Sequence, residues 1–210
     1  MNDFEQEQLK QNLREMIAGR NDGIELDSDF RWVVSGAPQL GIFFQCLPLI
    51  LPPDAILHFE GCEVSRDMCA FYEANEAPES VAVMRDTISP VSECFHVIFS
   101  REILAKLSEL TATRRINELF DHVKVYREKK VLLHFHDAYE QGWFLISDHV
   151  PEAAVSEFAN RLGASYRREP NVNKRIEGLR ALLKAIENPG RIRIKGETWW
   201  RRVWRRWTWR

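Results

Sequence analysis

Val131–Val150, with the sequence VLLHFHDAYEQGWFLISDHV, has the strongest strand–turn–strand pattern in the chain. The odd positions of 131–136 are all apolar. A period of two places them on one buried face of a strand, and His134 and His136 together on the other. The run Trp143–Ile146 is apolar on both faces, which is typical of a central strand in a sheet covered on two sides.

Neighbouring segments extend this hairpin into a sheet. His122–Arg127 predicts a further strand, and its short connection to the hairpin favours an antiparallel meander. Ile56–Glu60 and Phe95–Phe99 again place a histidine between core residues. Helical patterns occur in 3–19, 38–47, 65–72, 100–110, 111–120, 151–163 and 173–186. We predict an α+β fold with a mixed, mostly antiparallel sheet of about five strands and helices mainly on one face.

The domain organisation follows from length and from the positions of breaks. A chain of 210 residues can bury a sizeable core, and its interior shows no clear linker. We therefore predict one α/β domain over 1–190 and a cationic extension over 191–210. The least regular part is 75–93, in which Glu79–Asp86 fits either a strand or an ordered loop.

Composition and cysteine usage indicate the cellular setting. Apolar residues make up 45% of the chain and charged residues 29%, as in an ordinary globular protein. The four cysteines, Cys46, Cys62, Cys69 and Cys94, show no Cys-x-x-Cys spacing, and the N-terminus does not resemble a secretory signal. We therefore expect reduced thiols and a cytoplasmic protein.

The net charge of −2 conceals an asymmetry. Residues 191–210 contain eight arginines or lysines and one glutamate, so this segment carries +7 and the rest of the chain −9. Within 199–207, helical spacing would separate a tryptophan face from an arginine face. The predicted contact residues are Trp199, Trp200, Arg201, Arg202, Trp204, Arg205, Arg206 and Trp207.

Several partners fit this extension. It can dock on the acidic body of its own chain or on a protein partner, or pair as an edge strand through Ile192 and Ile194. It also suits an anionic membrane surface, with indoles in the acyl boundary and arginines on the headgroups. Nucleic acid is disfavoured, because an acidic body repels the phosphate backbone.

Histidines on the predicted strands suggest a metal site. If the strands are neighbours, His58, His134 and His136 share one sheet face and can bind zinc or another divalent metal, with Glu60 as general base. The alternative interpretation is a half-exposed polar face with no ligand, because His-x-His on one strand is a weak signal.

The motifs that the chain lacks shape the functional hypotheses. No Gly-x-Ser-x-Gly elbow and no Gly-rich phosphate loop occur, so neither a serine hydrolase nor a nucleotide-binding protein is predicted. The first hypothesis is a cytoplasmic, non-catalytic protein-binding or regulatory module without a cofactor. The alternatives are a metal-dependent hydrolase with its site on the sheet face and a peripheral membrane protein anchored by its C-terminal tail.

Overall fold

The computed structural model describes residues 23–171 except for 27, 37–38, 88–91 and 139–142, together with nine helical positions near the termini. These positions are 7, 10, 11, 13, 14, 183, 184, 186 and 187. The chain divides into two compact units, Met1–Ala18 with Asn173–Arg210, and Gly19–Val172. In the first unit Arg14 Nη2 lies 2.8 Å from Glu187 Oε1. The predicted boundary at residue 190 stays a prediction, and the predicted tail contacts at 199–207 lie outside the described residues.

The second unit is built on an antiparallel sheet of seven strands. The strands are β1 Phe30–Ser35, β2 Ile56–Gly61, β3 Glu93–Ile98, β4 His122–Arg127, β5 Lys130–Phe135, β6 Trp143–Ser147 and β7 Ser165–Pro170. Their order is β3-β2-β4-β5-β6-β1-β7, and every pairing is antiparallel. The α+β class and the antiparallel character are thus confirmed, whereas the expected number of about five strands is wrong.

The described residues form four α-helices, α1 Leu40–Cys46, α2 Arg66–Ala74, α3 Arg101–Thr111 and α4 Glu152–Leu162. Ser100 starts α3 by accepting a hydrogen bond from the Ile103 amide at 3.2 Å. Gly163 ends α4 with a φ of 64°, a conformation that glycine adopts without steric cost. No helix in the described part of the chain is long and apolar enough to cross a membrane.

All four helices bury their apolar residues in one core against a single face of the sheet. The sheet contributes alternating residues to it, including Leu57, Phe59, Val123, Val125, Leu133, Phe135, Phe144 and Ile146. We call this side the helix face. The other side, which carries the strand histidines together with Glu60 and Lys124, is called the polar face.

A β-bulge in the central hairpin changes the expected alternation. Val125 pairs with Leu133 but Tyr126 pairs with Val131, so Leu132 is an extra residue in β5. Leu132 consequently packs in the core of the helix face, and Val131 joins a small apolar cluster with Tyr126. The prediction that Val131 shares a face with Leu133 was wrong, while the common face of the two histidines is unaffected.

Two short segments lie against the polar face. Ile24 forms a parallel bridge with Val83, through hydrogen bonds from Ile24 N to Ala82 O at 2.9 Å and from Met84 N to Ile24 O at 3.0 Å. The segment that was expected to be a strand or an ordered loop is therefore a loop with one bridge. This arrangement delivers Asp86 to the sheet.

Candidate metal centre

Two rows of polar side chains cross the polar face, because every second residue of each strand points to that side. His58 of β2 pairs with His96 of β3 and with Lys124 of β4, which in turn pairs with His134 of β5. In the adjacent row Glu60 pairs with His122. His136 follows the end of β5, and its ring stacks on that of His122 with centroids 4.7 Å apart.

Glu60 anchors the loop that carries Asp86. Its side chain is fully buried and accepts hydrogen bonds from Asp86 N at 2.8 Å, Thr87 N at 2.6 Å and Ser92 Oγ at 3.0 Å. Charge-assisted bonds of this kind are among the stronger hydrogen bonds in proteins. Since both carboxylate oxygens are occupied, the geometry supports an anchoring role for Glu60.

Asp86 lies at the centre of the site. Its Oδ2 is 2.7 Å from Lys124 Nζ and 2.8 Å from His134 Nε2. Burial disfavours the charged form, but the attraction of His134 and Lys124 outweighs it and holds the pKa of Asp86 well below its ordinary value. Burial also lowers the pKa of His134, against the opposing pull of Asp86. At neutral pH we therefore assign an ionised Asp86, which is held by the Lys124 ammonium and by the Nε2 proton of His134.

His136 presents one nitrogen to each of two carboxylates. Its Nδ1 lies 3.5 Å from Asp86 Oδ1, and its Nε2 lies 3.4 Å from Asp137 Oδ2. The Nδ1 atom is buried and has no hydrogen-bond partner among the described residues. Most buried polar atoms are hydrogen-bonded, so such an atom calls for an explanation.

Ligand atoms of Asp86, His134 and His136 all lie within 4.8 Å of one another. The rings of His134 and His136 are inclined at 76°. An imidazole lone pair lies in the plane of its ring, so two crossed rings can direct lone pairs at one ion, provided that the ion displaces the Nε2 proton through which His134 bonds Asp86. The three side chains together supply two nitrogens and an oxygen, a donor set that suits zinc and related divalent ions.

A second group, His122, His136 and Asp137, is less suitable for a metal ion. The rings of His122 and His136 are nearly parallel, at 17°, so their in-plane lone pairs do not converge. Both nitrogens of His122 are also occupied. Nδ1 accepts a hydrogen bond from Asp137 N at 2.9 Å, and Nε2 lies 3.1 Å from Thr87 Oγ1.

The structure brings only part of the predicted ligand set together. His134 and His136 converge, but Lys124 lies between His58 and His134. These two histidines are therefore separated by two strand spacings of about 4.8 Å each. His58 instead lies against His96, with ring centroids 4.8 Å apart, and burial followed by repulsion from Lys124 lowers its pKa strongly. Asp86 takes its place beside the other two histidines. Metal binding itself stays a prediction.

Asp86 was missed because its segment has no periodic pattern. In 81–86, VAVMRD, apolar residues precede a single aspartate, and only the weak strand character of that run indicated order. Its position is fixed by long-range hydrogen bonds to Glu60, which local sequence does not reveal.

Comparison with known proteins identifies no relative. No family model matches the chain, and neither a curated protein nor a solved structure matches it. The case for function rests on the geometry and chemistry of the Asp86, His134 and His136 centre.

Proposed function

We propose that the protein binds one divalent transition metal ion, zinc or a chemically similar ion, through Asp86, His134 and His136, and that the bound ion serves a hydrolytic reaction. The observation that carries the proposal is the buried Nδ1 of His136, which has no hydrogen-bond partner among the described residues. An unsatisfied buried polar atom costs about 1–3 kcal/mol, and a bound cation would remove that cost. The neighbouring Asp86 carboxylate and His134 ring supply the other ligands.

The number of ligands in the site favours a catalytic metal ion over a purely structural one. Structural zinc sites are usually closed by four protein ligands, whereas catalytic sites keep a position for water. Three side chains converge here, and those of His134 and His136 remain 17% and 21% exposed. Water on such an ion is deprotonated near neutral pH and becomes a nucleophile.

Lys124 is compatible with a metal ion on Asp86. The lysine contacts Oδ2 at 2.7 Å and also donates to the carbonyl of Met84. Oδ1 faces His136 and is available to a cation. Because its ammonium already balances the charge of Asp86, Lys124 leaves Oδ1 open but weakens the attraction of the carboxylate for a cation.

The test is the metal content of untagged protein purified without chelator, followed by titration of the metal-free protein with Zn²⁺. We expect near-stoichiometric binding that His134→Ala and His136→Ala abolish while both variants stay folded. His149→Ala is the matched control, because His149 is exposed and lies outside the centre. A folded wild-type protein that neither contains nor binds a divalent metal would rule out the proposal.

Hydrolysis is tested separately with chromogenic esters and phosphoesters. Activity should require the metal and disappear in both histidine variants, but persist in His149→Ala. Stoichiometric metal binding without metal-dependent hydrolysis of any substrate would keep the metal site and reject the hydrolase. The predicted protein-binding role remains a prediction, because the comparisons give no partner. The predicted membrane-binding role of 199–207 also remains a prediction, because the tail lies outside the described residues.

A further inference from the structure

We infer that His122 and Asp137 are positioning residues, which together select the tautomer of His136 and thereby create its metal-ligand atom. This inference rests on the proposed function, because it explains how one nitrogen of His136 is kept free for a cation. Neither residue would itself hold the ion.

The hydrogen bonds of His122 fix its tautomer. The backbone N–H of Asp137 donates to His122 Nδ1 at 2.9 Å, so Nδ1 carries a lone pair and no proton. A neutral His122 must then carry its proton on Nε2, which donates to Thr87 Oγ1 at 3.1 Å.

Asp137 has a left-handed backbone conformation. Its φ is 47°, in the left-handed region, which aspartate tolerates better than most residues do. The hydrogen bond from its amide to His122 holds this conformation. The bond also orients the residue so that Oδ2 lies 3.4 Å from His136 Nε2.

Asp137 in turn determines the tautomer of His136. A carboxylate only accepts hydrogen bonds, so Asp137 favours a proton on Nε2 of His136 and Asp86 favours one on Nδ1. The pull of Asp86 is the weaker of the two, because Lys124 already balances its charge. The Nδ1 atom then keeps its lone pair, directed towards Asp86 Oδ1 at 3.5 Å. In many metal sites a carboxylate on the outer nitrogen fixes a ligating histidine in this way.

The same contacts connect both parts of the centre. Through Thr87, His122 is bonded to the residue that follows Asp86, and through Asp137 it is bonded to the residue that follows His136. Both ligand-bearing segments thus depend on one buried ring, which is only 5% exposed. A change in His122 should therefore alter the geometry on both sides.

The tautomer can be measured without any metal, by long-range ¹H–¹⁵N NMR of the histidine rings, with the His136 signals identified by their loss in His136→Gln. We expect the proton of wild-type His136 on Nε2, and in Asp137→Gly a mixture of tautomers. Glycine suits the left-handed backbone and retains the amide that binds His122, so this variant removes the carboxylate alone. A wild-type His136 with its proton on Nδ1 would overturn the inference.

Zinc titration gives the second readout. Asp137→Gly should weaken zinc binding about 10–100-fold. Asp137→Asn, which retains an acceptor and tolerates the same backbone, should recover part of that loss. Asp54→Asn is the charge control, because Asp54 pairs with Arg127 at the other end of β4. Equal zinc affinity in wild type and Asp137→Gly would contradict a positioning role.

A double-mutant cycle tests whether His122 acts on His136 through Asp137, an arrangement that we call the relay, or whether the two residues act independently. His122→Phe keeps a ring to stack on His136 but removes both hydrogen bonds, and should also weaken zinc binding. If the two residues act in sequence, His122→Phe with Asp137→Gly should lose little more than the larger single effect. Additive losses would overturn the relay, and if His122→Phe does not fold, His122→Asn replaces it. A wild-type chain with the Nε2 tautomer but no zinc binding would contradict the proposed function and leave the relay intact.

Discussion

Both faces of the sheet contain fully buried residues, but the two faces differ in chemistry. On the helix face, Phe59 and Phe135 are 0% and 1% exposed; on the polar face, Glu60 and Lys124 are 0% and 2% exposed. Burial of phenylalanine stabilises the fold directly. Burial of a carboxylate or an ammonium group is costly unless each charge is paired and hydrogen-bonded. The helix face therefore supplies the stability that allows the polar face to hold a cluster of charged and polar side chains.

The difference extends to how each face responds to conditions. Aromatic contacts on the helix face do not depend on protonation or on ions. On the polar face, the contacts of Asp86 with His134 and Lys124 depend on which groups are charged, and under the proposed function they would also depend on a bound metal ion. Stability measurements with and without zinc, and at different pH values, should therefore distinguish the two faces.

The largest effect is expected on the helix face, for Phe43→Ala. The Phe43 ring is fully buried and contacts Phe44, Phe135 and Phe144 with centroids 5.3 Å away in each case. Its truncation leaves a cavity, so the free energy of unfolding should fall by about 3–5 kcal/mol. Urea unfolding should show the same loss with EDTA and with zinc.

Phe30→Ala is the control for that substitution. Phe30 is 39% exposed and lies beneath the guanidinium of Arg168 at 4.3 Å, so its loss should cost below about 1 kcal/mol. If zinc were to restore the stability of Phe43→Ala selectively, the separation of the two faces would be wrong.

The next effect is expected on the polar face, for Lys124→Met. The substitution removes the cation that balances Asp86 but keeps an apolar chain of similar length. Because the Asp86 carboxylate then keeps only His134 and His136 as neighbours among the described ion pairs, metal-free protein should lose about 3 kcal/mol of unfolding free energy. Zinc should bind Asp86 more tightly without the competing ammonium. At a free concentration 100-fold above its dissociation constant, zinc adds about 2.7 kcal/mol of stability, which nearly offsets the loss.

The control for this variant is Lys106→Met. Lys106 is exposed and pairs with Glu109 at 3.1 Å on the surface of α3, and such pairs contribute below about 1 kcal/mol. Calorimetric titration and thermal unfolding of both variants would test the prediction. Weaker zinc binding by Lys124→Met than by wild type would show that the lysine supports the site and does not compete with the ion.

Local patterns predicted the parts of the fold that depend on neighbours in sequence. The run Trp143–Ile146, apolar on both faces, predicted a central strand, and β6 does lie between β5 and β1. The period of two placed His134 on the face opposite Phe135, as the structure shows. β7 was missed because an edge strand with the sequence SYRREP is largely exposed and has no apolar alternation.

The composition of the site depends on information that local patterns do not contain. Whether His58 meets His134 is decided by strand order, and β4 lies between their strands. Asp86 reaches the site only because Glu60, 26 residues earlier in the chain, binds its amide. Sequence periodicity therefore identified the face that carries the centre, and the long-range contacts determined its members.

The smallest effect concerns His58 and the pH dependence of stability. The folded chain holds this ring neutral, because burial and the nearby Lys124 ammonium lower its pKa well below the ordinary value. In the unfolded chain His58 takes up a proton near pH 6.5. Between these two pKa values the unfolded state binds one more proton, so the free energy of unfolding falls as the pH drops below about 6.5. Above that pH, His58 has no such effect.

Replacing His58 with glutamine removes this proton from the balance. The fall in unfolding free energy between pH 6.5 and 5.5, measured in EDTA, should be smaller by about 1 kcal/mol in His58→Gln than in wild type. A residual slope should remain, because burial also lowers the pKa values of His96 and His122. In the exposed control His149→Gln the slope should match wild type. An unchanged slope in His58→Gln would mean that the folded chain admits a proton at this position, and the polar face would then tolerate more positive charge than its buried Lys124 suggests.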